Sequence, residues 1–398
     1  MSFPAQLAIP EEVLEIARRL DHAGHEVWCV GGAIRDALLR RHGMDAALEP
    51  SDLDFATSAT PEQVQALFRR TVNVGVKHGT VGVLDRSRAL HEVTTFRKDV
   101  TTDGRHAVVA FGVSLEDDLA RRDFTINAIA YHPLRHEWRD PFGGAQDLAD
   151  GLVRAVGDPI QRFREDYLRI LRALRFAARF DFAVEPATWA AARAAVAGLS
   201  QLSPERVRDE WFKGLRTARS IGELVRLWID SGAAAVWIPG LDTTEWSSAA
   251  DWSPRDPVLL TSLLLPDAPG ALRRLRASNA EIARAEAMAR GPAEPEADTP
   301  EATRRWRAAT RGAADDLVRI WLMRQGREPA WAAAVTASRA RQEPVSRGEL
   351  ALDGNDLTAL GVPPGRRIGE VLDLLLDRVL ADPSLNTPER LAAIVRSL

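Results

Sequence analysis

The spacing of apolar positions changes along the chain and divides it into an alternating half and a helical half. Between Glu11 and Leu20 the apolar residues Leu14, Ile16, Ala17 and Leu20 follow the spacing of a helix with one buried face. Val27-Trp28-Cys29-Val30 is an unbroken apolar run that ends in Gly31-Gly32, which predicts a strand turning into a helix over Ala33 to Arg41. Thr60-Pro61-Glu62 reads as an N-cap, a proline at the first helical position and an acidic first turn, opening a helix to about Arg70. Strand-like runs follow at Thr80 to Leu84 and His91 to Phe96. Little chain is left for crossovers between them, so a mixed or mostly antiparallel sheet is expected. From Arg162 onward the short strands give way to helices rich in alanine and arginine. Ser203-Pro204-Glu205 opens one of these with a cap, and Gly291 to Pro300 reads as a linker or loop. The tryptophans from Trp211 to Trp331 are read mainly as helix-packing core.

Length and composition refine this picture. At 398 residues the chain exceeds what one core usually covers. The expected organisation is α+β: a head with a small mixed or antiparallel sheet and helices at 1–150, a helical neck at 151–216, and a helical body and tail at 217–398. A formal net charge of −4 argues against a uniformly basic nucleic-acid binder but leaves room for a local basic groove. Lysine occurs only at Lys77, Lys98 and Lys213, so nearly all positive charge is arginine. The single cysteine, Cys29, lies in an apolar run and reads as a buried small residue. The opening Met-Ser-Phe-Pro has no leader-like pattern and no apolar run is long enough to span a bilayer, so a cytoplasmic protein without a membrane partner is expected. All histidines lie at or before His136, which excludes a histidine-dependent centre built from the C-terminal two thirds alone.

The candidate chemistry starts at Ser51-Asp52-Leu53-Asp54-Phe55. On a strand, Asp52 and Asp54 share one face while Leu53 and Phe55 point into a core. Taken alone the pair fits a solvated edge strand as well as a site for a hard divalent cation. The Gly31-Gly32 turn, where backbone N–H groups can approach a phosphate, favours the second reading and points to nucleotidyl transfer. Glu92 is a candidate third carboxylate or an exposed strand residue. Thr101 to His106 reads as a mobile loop beside the site. Leu115 to Ala128 reads in its first half as an amphipathic helix with a charged start, whereas in its Arg121 to Asn127 run arginine forks suit triphosphate oxygens and Asp or Asn can fix ribose hydroxyls. Asp140 to Leu148 is a turn joining head to neck. Asp166 and Arg169, three apart on a helix expected over Phe163 to Phe180, share a face. They form either a surface ion pair or a paired acceptor and donor. Such a pair matches the order that cytosine and adenine present on their pairing edges, which uracil and guanine reverse. Arginines at 273, 274, 276, 304, 305 and 307 fit an RNA-backbone groove or solvated helix faces.

Together these stretches resemble the class II tRNA nucleotidyltransferase and poly(A) polymerase family, which includes CCA-adding enzymes. The resemblance rests on Gly31 to Asp36 with Asp52-Leu53-Asp54, on Glu92 to Arg97, Arg121 to Ala128, Asp140 to Leu148 and Glu165 to Phe176, with weaker matches at Ser203 to Glu210 and Leu352 to Gly369. It implies Mg2+-dependent transfer of CMP and AMP from CTP and ATP to the 3′ end of tRNA. Asp52, Asp54 and Glu92 would bind the metals. Gly31, Gly32, Arg35, Arg122, Asp123 and Asn127 would hold triphosphate and ribose, and Asp166 with Arg169 would read the base. The chain departs from the family pattern at Arg40-Arg41, where a glycine is usual, and in the longer approach from His42 to Pro50. No C-terminal His-Asp phosphohydrolase domain is expected. Asp103-Gly104-Arg105-His106 resembles the loop that A-adding members carry, which disfavours CC-only addition. Full CCA addition, A-only addition and poly(A) tailing remain open, as does a catalytically inactive RNA-binding protein.

Overall fold

A computed structural model describes residues 3–41, 43, 53–75, 79–102, 107–242, 248–252, 255–310 and 312–398. Helix α1 (Glu11–His22) buries Val13, Ile16, Ala17 and Leu20. Val13 rather than Leu14 completes the apolar stripe, one residue away from the position the spacing indicated. Strand β1 (Val27–Val30) is buried along its whole length and runs into α2 (Gly32–Arg41), while β2 (Asp54–Thr57) pairs antiparallel with it. Helix α3 (Pro61–Leu67) starts at the expected Thr60 cap, which proves to be a capping box with Thr60 and Gln63 bonding each other's backbone N–H groups, and stops three residues short of Arg70.

Strands β3 (Thr71–Gly75), β4 (Thr80–Leu84) and β5 (Leu90–Thr95) extend the sheet. Strands β6 (Arg97–Thr102) and β7 (Ala107–Phe111) form a separate two-stranded hairpin, so Thr101 and Thr102 belong to a strand and not to a loop. After α4 (Leu115–Ala120) and a 3-10 turn at Thr125–Asn127 come β8 (Ala130–His132) and β9 (Glu137–Arg139). The main sheet has the order β3-β4-β5-β2-β1-β8-β9. Only the β2–β5 pair is parallel, which bears out the mixed, mainly antiparallel expectation. One face packs Trp28, Val30, Ala56, Phe96, Leu115 and Leu119 into a core.

Helix α5 (Gly144–Asp150) and β10 (Leu152–Val153) lead to α6 (Pro159–Glu165) and α7 (Leu168–Phe180). The single helix expected over Phe163 to Phe180 is in fact two. Asp166 is extended, at φ −156° and ψ 106°, and its carboxylate accepts from the Leu168 N–H at 3.1 Å to start the second helix. Strand β11 (Ala183–Val184) pairs with β10, and α8 (Pro186–Ala194), α9 (Pro204–Thr217), α10 (Ile221–Ser231) and α11 (Ala233–Trp237) follow. Pro204 opens α9 as expected, but the Ser203 side chain makes no cap hydrogen bond.

The chain divides into two compact units, 1–239 and 240–398. In the described residues of the second, helices run from α12 (Ala249–Trp252) to α21 (Pro388–Arg396), and Leu357, Val371, Leu375, Val379 and Leu391 form a core. Trp211, Trp228, Trp237, Trp306 and Trp331 are buried, in line with the packing role expected of them. Among the described residues no helix is long and apolar enough to cross a membrane.

Candidate active site

The turn at the end of β1 favours glycine in its first position. Gly31 has φ +81°, a conformation that L side chains rarely adopt, and a Cβ on it would lie 3.3 Å from Nη1 of Arg122. The next residue begins α2, whose first N–H groups have no acceptor within the helix. Asp54 lies across from Val30 in the antiparallel register, so the turn and this carboxylate share one end of the sheet. Phe55 is the parallel partner of Val93, and the same register one residue earlier brings Glu92 beside Asp54 on the same face. Asp52 lies outside the described residues, as do Asp103 to His106 and, except for Gly43, the segment from His42 to Pro50. Among the described residues no three His, Cys, Asp or Glu side chains cluster as a metal site.

Gly31, Gly32, Arg35, Asp54, Arg122, Asp123, Asn127, Asp166 and Arg169 line a single cavity of about 580 Å³. Glu92 is not in its lining. The cavity also exposes Arg121, Arg172, Arg175, Arg179 and Arg206, so eight arginines face three carboxylates among its described lining residues. Four of these arginines come from α7, where spacing of three to four residues puts Arg169, Arg172, Arg175 and Arg179 on one side of the helix. A cavity with this excess of guanidinium groups is suited to a polyanion, and forked donors match phosphate oxygens.

The polar contacts divide the residues by role. Arg35 is buried; its Nε and Nη2 donate to Asp36 at 2.7 and 2.6 Å, its Nη1 to Oδ1 of Asn127 at 2.5 Å, and its guanidinium lies 5.0 and 4.8 Å from the ring centres of Phe176 and Phe180. Burial pulls its pKa down to about 10, against the opposing influence of Asp36. It therefore ties the glycine turn to α7 and orients Asn127. The other end of Asn127 donates to Oδ1 of Asp123 at 2.9 Å, and Oδ2 of Asp123 accepts from Nε of Arg172 at 2.7 Å. Burial presses the Asp123 carboxyl upward, but Arg172, Asn127 and the Phe124 N–H outweigh it and hold the pKa at about 2. Arg122 donates to Asp118 and to the Asn127 carbonyl, while its Nε is buried without a partner.

At the far side of the cavity, the Arg169 N–H donates to the Asp166 carbonyl at 3.0 Å, while the two side chains are held by other partners. Oδ2 of Asp166 accepts from Arg206 at 2.7 Å; Arg169 donates to Glu165 at 2.7 Å and to the carbonyls of Arg162 and Arg121 at 3.0 Å each. The surface ion pair between them is thus replaced by two separately held groups on one wall. Sequence reasoning gave no role to Glu165, Arg172, Arg179 or Arg206. The i, i+3 spacing along α7 was available as a signal for two of them, but Arg206 arrives from a different helix.

Comparison with known proteins places these elements in a family. The poly A polymerase head domain model matches residues 27–154, and a model described as a probable RNA and SrmB-binding site of polymerase A matches 181–244. The chain is 40% identical over 253 residues to a CCA-adding enzyme of Leuconostoc mesenteroides, a match that spans 61% of this chain and 59% of that protein. A CCA-adding enzyme of Limosilactobacillus fermentum is 33% identical over 389 residues, covering 93% of this chain and 92% of the relative. The crystal structure of the Bacillus stearothermophilus CCA-adding enzyme in complex with CTP superposes with a TM-score of 0.81 at 32% identity, over 97% of this chain and 96% of that one. With sequence and fold similarity sustained over nearly the whole length, the chain belongs to the class II tRNA nucleotidyltransferase and poly(A) polymerase family.

Proposed function

We propose that the chain adds C and A to the 3′ end of tRNA, taking CMP from CTP and AMP from ATP without a nucleic-acid template, and that it works in the cytoplasm. The observation that carries this reading is the single cavity that joins the glycine turn and Asp54 to Asp166 and Arg169 through a wall of arginines. The division into a catalytic head at 1–150, a base-reading neck at 151–216 and an RNA-binding body and tail at 217–398 belongs to the same proposal.

In this reading the Gly31 and Gly32 backbone and Arg122 hold the triphosphate. Asp123 and Asn127 accept and donate to the ribose hydroxyls, with Arg35 fixing Asn127. Asp166 accepts from the exocyclic amine of C or A, and Arg169, steadied by Glu165, donates to the neighbouring ring nitrogen. Asp54, with Glu92 at its side and Asp52 two residues before it, is an oxygen-donor set of the kind that hard divalent cations take alongside substrate phosphates. These residues would hold Mg2+, which when bound supplies Lewis acidity toward the charge that develops on the transferring phosphate. Holding that charge, the reacting groups in line and water out is what the chain itself contributes.

The test is incorporation from CTP and ATP on tRNAs that end before the first C, after the second C, or in full CCA, with an oligo(A) primer alongside. Completion of CCA on the first two and no extension of the others supports the proposal. Addition only to the CC-ending tRNA would reassign the chain to A-only addition, and long tails on oligo(A) would make it a poly(A) polymerase. No incorporation at all would leave an RNA-binding protein.

A further inference from the structure

Three apolar side chains stand exposed on the sheet face that carries the carboxylates. Val72 and Val74 on edge strand β3 are 43% and 44% exposed, and Leu90 on β5 is 39% exposed. They are connected by Gly82. In the register Val72 lies opposite Gly82, and Gly82 opposite Glu92, so one row crosses the sheet from its edge to the carboxylates. A Cβ on Gly82 would lie 2.6 Å from Cδ1 of Leu90 and 2.8 Å from Cγ2 of Val74. Its absence lets those two side chains close over the strand and make one continuous apolar ledge. A glycine inside a strand weakens it and often marks a place of close approach. Exposed valines on an edge strand are also a pairing liability. A feature with both drawbacks calls for an occupant.

We propose that this ledge seats the terminal nucleotide of the RNA acceptor; the inference rests on the nucleotidyl-transfer reading and adds the second substrate's position to it. Phosphoryl transfer places the attacking and leaving oxygens roughly in line. The glycine turn and the arginines lie on the β1, β2 and α7 side of Asp54, so the pyrophosphate departs toward them. The attacking 3′ hydroxyl then enters from the opposite side, over β5, β4 and β3. Strands are spaced about 4.8 Å apart, so the ledge begins about 10 Å from Glu92 at Val72 and comes closer at Leu90. Its chemistry also suits the task. The terminal base changes after each addition, so a surface that packs on a base without reading its hydrogen-bonding edge accepts every intermediate. Contact of this kind is tolerant of sequence.

Val72→Ser combined with Val74→Ser, and separately Leu90→Ser, test the proposal in the full chain. The expected result is a rise of about tenfold in KM for tRNA, within the range found when one base loses its packing surface, and an unchanged KM for CTP. The effect should be equal for acceptors ending in different bases. In the wild-type protein, a tRNA carrying 4-thiouridine at its 3′ end should photocrosslink to β3 or β5, a readout that does not depend on variants folding. If the wild-type chain adds nucleotides while the variants keep the acceptor KM and the crosslink maps elsewhere, the ledge assignment falls and the nucleotidyl-transfer reading stands. A change of oligomeric state in the variants with acceptor KM unaltered would make the ledge a contact between copies and overturn the assignment. If the wild-type chain adds no nucleotide, the assignment falls together with the reading on which it rests.

Discussion

Asp123 shows how a cavity crowded with guanidinium groups keeps a buried carboxylate charged. Its pKa of about 2 lies below the ordinary 3.8, so the folded state binds the charged form more favourably than the unfolded chain does. That contribution, about 2 kcal/mol, is present above the ordinary value and is lost as pH falls toward 2. Asp123→Asn should therefore lower stability by about 2 kcal/mol at pH 7, and the gap from wild type should shrink between about pH 4 and pH 2. Urea unfolding at several pH values checks this, and a difference that does not vary with pH would contradict it. Asp118 behaves in the same way: burial presses it upward, and Arg122 and Arg121 hold it below its usual range. At Asp54, replacement by Ala should reduce nucleotide transfer by about three orders of magnitude, the equivalent of about 4 kcal/mol of charge stabilisation, in a single-turnover assay. Asp54, Asp123, Asn127, Asp166 and Arg169, which line one cavity, were named from the sequence because each sits in a short run whose residue types suit one chemistry. Arg206 was not, since its bond to Asp166 spans forty residues and exists only once α9 packs against α7.

Element boundaries followed local rules where those rules had no competitor. The Thr60 N-cap and the β4 strand came out as read. The helix through Asp166 did not, because the Asp166 carboxylate bonds the Leu168 N–H and breaks the helical path; periodicity gives no sign of such a bond. This break is what turns Asp166 toward Arg206 and the cavity. Helix α7 is in turn locked to α9 by a buried pair, with Nε of Arg175 donating to Glu210 at 2.6 Å. Glu210→Ala leaves that guanidinium buried without its partner and should cost about 3 kcal/mol in a denaturation experiment. The glycine turn makes a second prediction at this scale. Gly31→Ala forces a side chain into a positive-φ position against Arg122, so KM for CTP should rise and stability should fall by about 1 kcal/mol or more. Steady-state kinetics with CTP varied would read the first effect, and an unaltered KM would remove Gly31 from the triphosphate site.

At the scale of the molecule, the mixed sheet and the all-helical second half were readable from the shift in apolar period, since that shift reflects what each segment can bury. The sequence did not reveal that the first compact unit extends to Pro239, because helices follow one another on both sides of that point with no change in the apolar period. A fragment ending at Pro239 should fold and bind CTP, as every described lining residue of the cavity lies within it, while its affinity for tRNA should drop. Equilibrium binding of each ligand to the fragment and to the full chain would show whether the two functions separate in this way. The central claim is that one cavity selects C and then A on a tRNA end. Its most direct test is a product ladder at single-nucleotide resolution from a tRNA lacking CCA, with all four nucleoside triphosphates present. The wild-type chain should add C, C and A and stop, and Asp166→Ala or Arg169→Ala should admit U or G while still requiring divalent metal. An unchanged ladder in both variants would contradict base selection by these residues, and a wild-type ladder of any other composition would contradict the account as a whole.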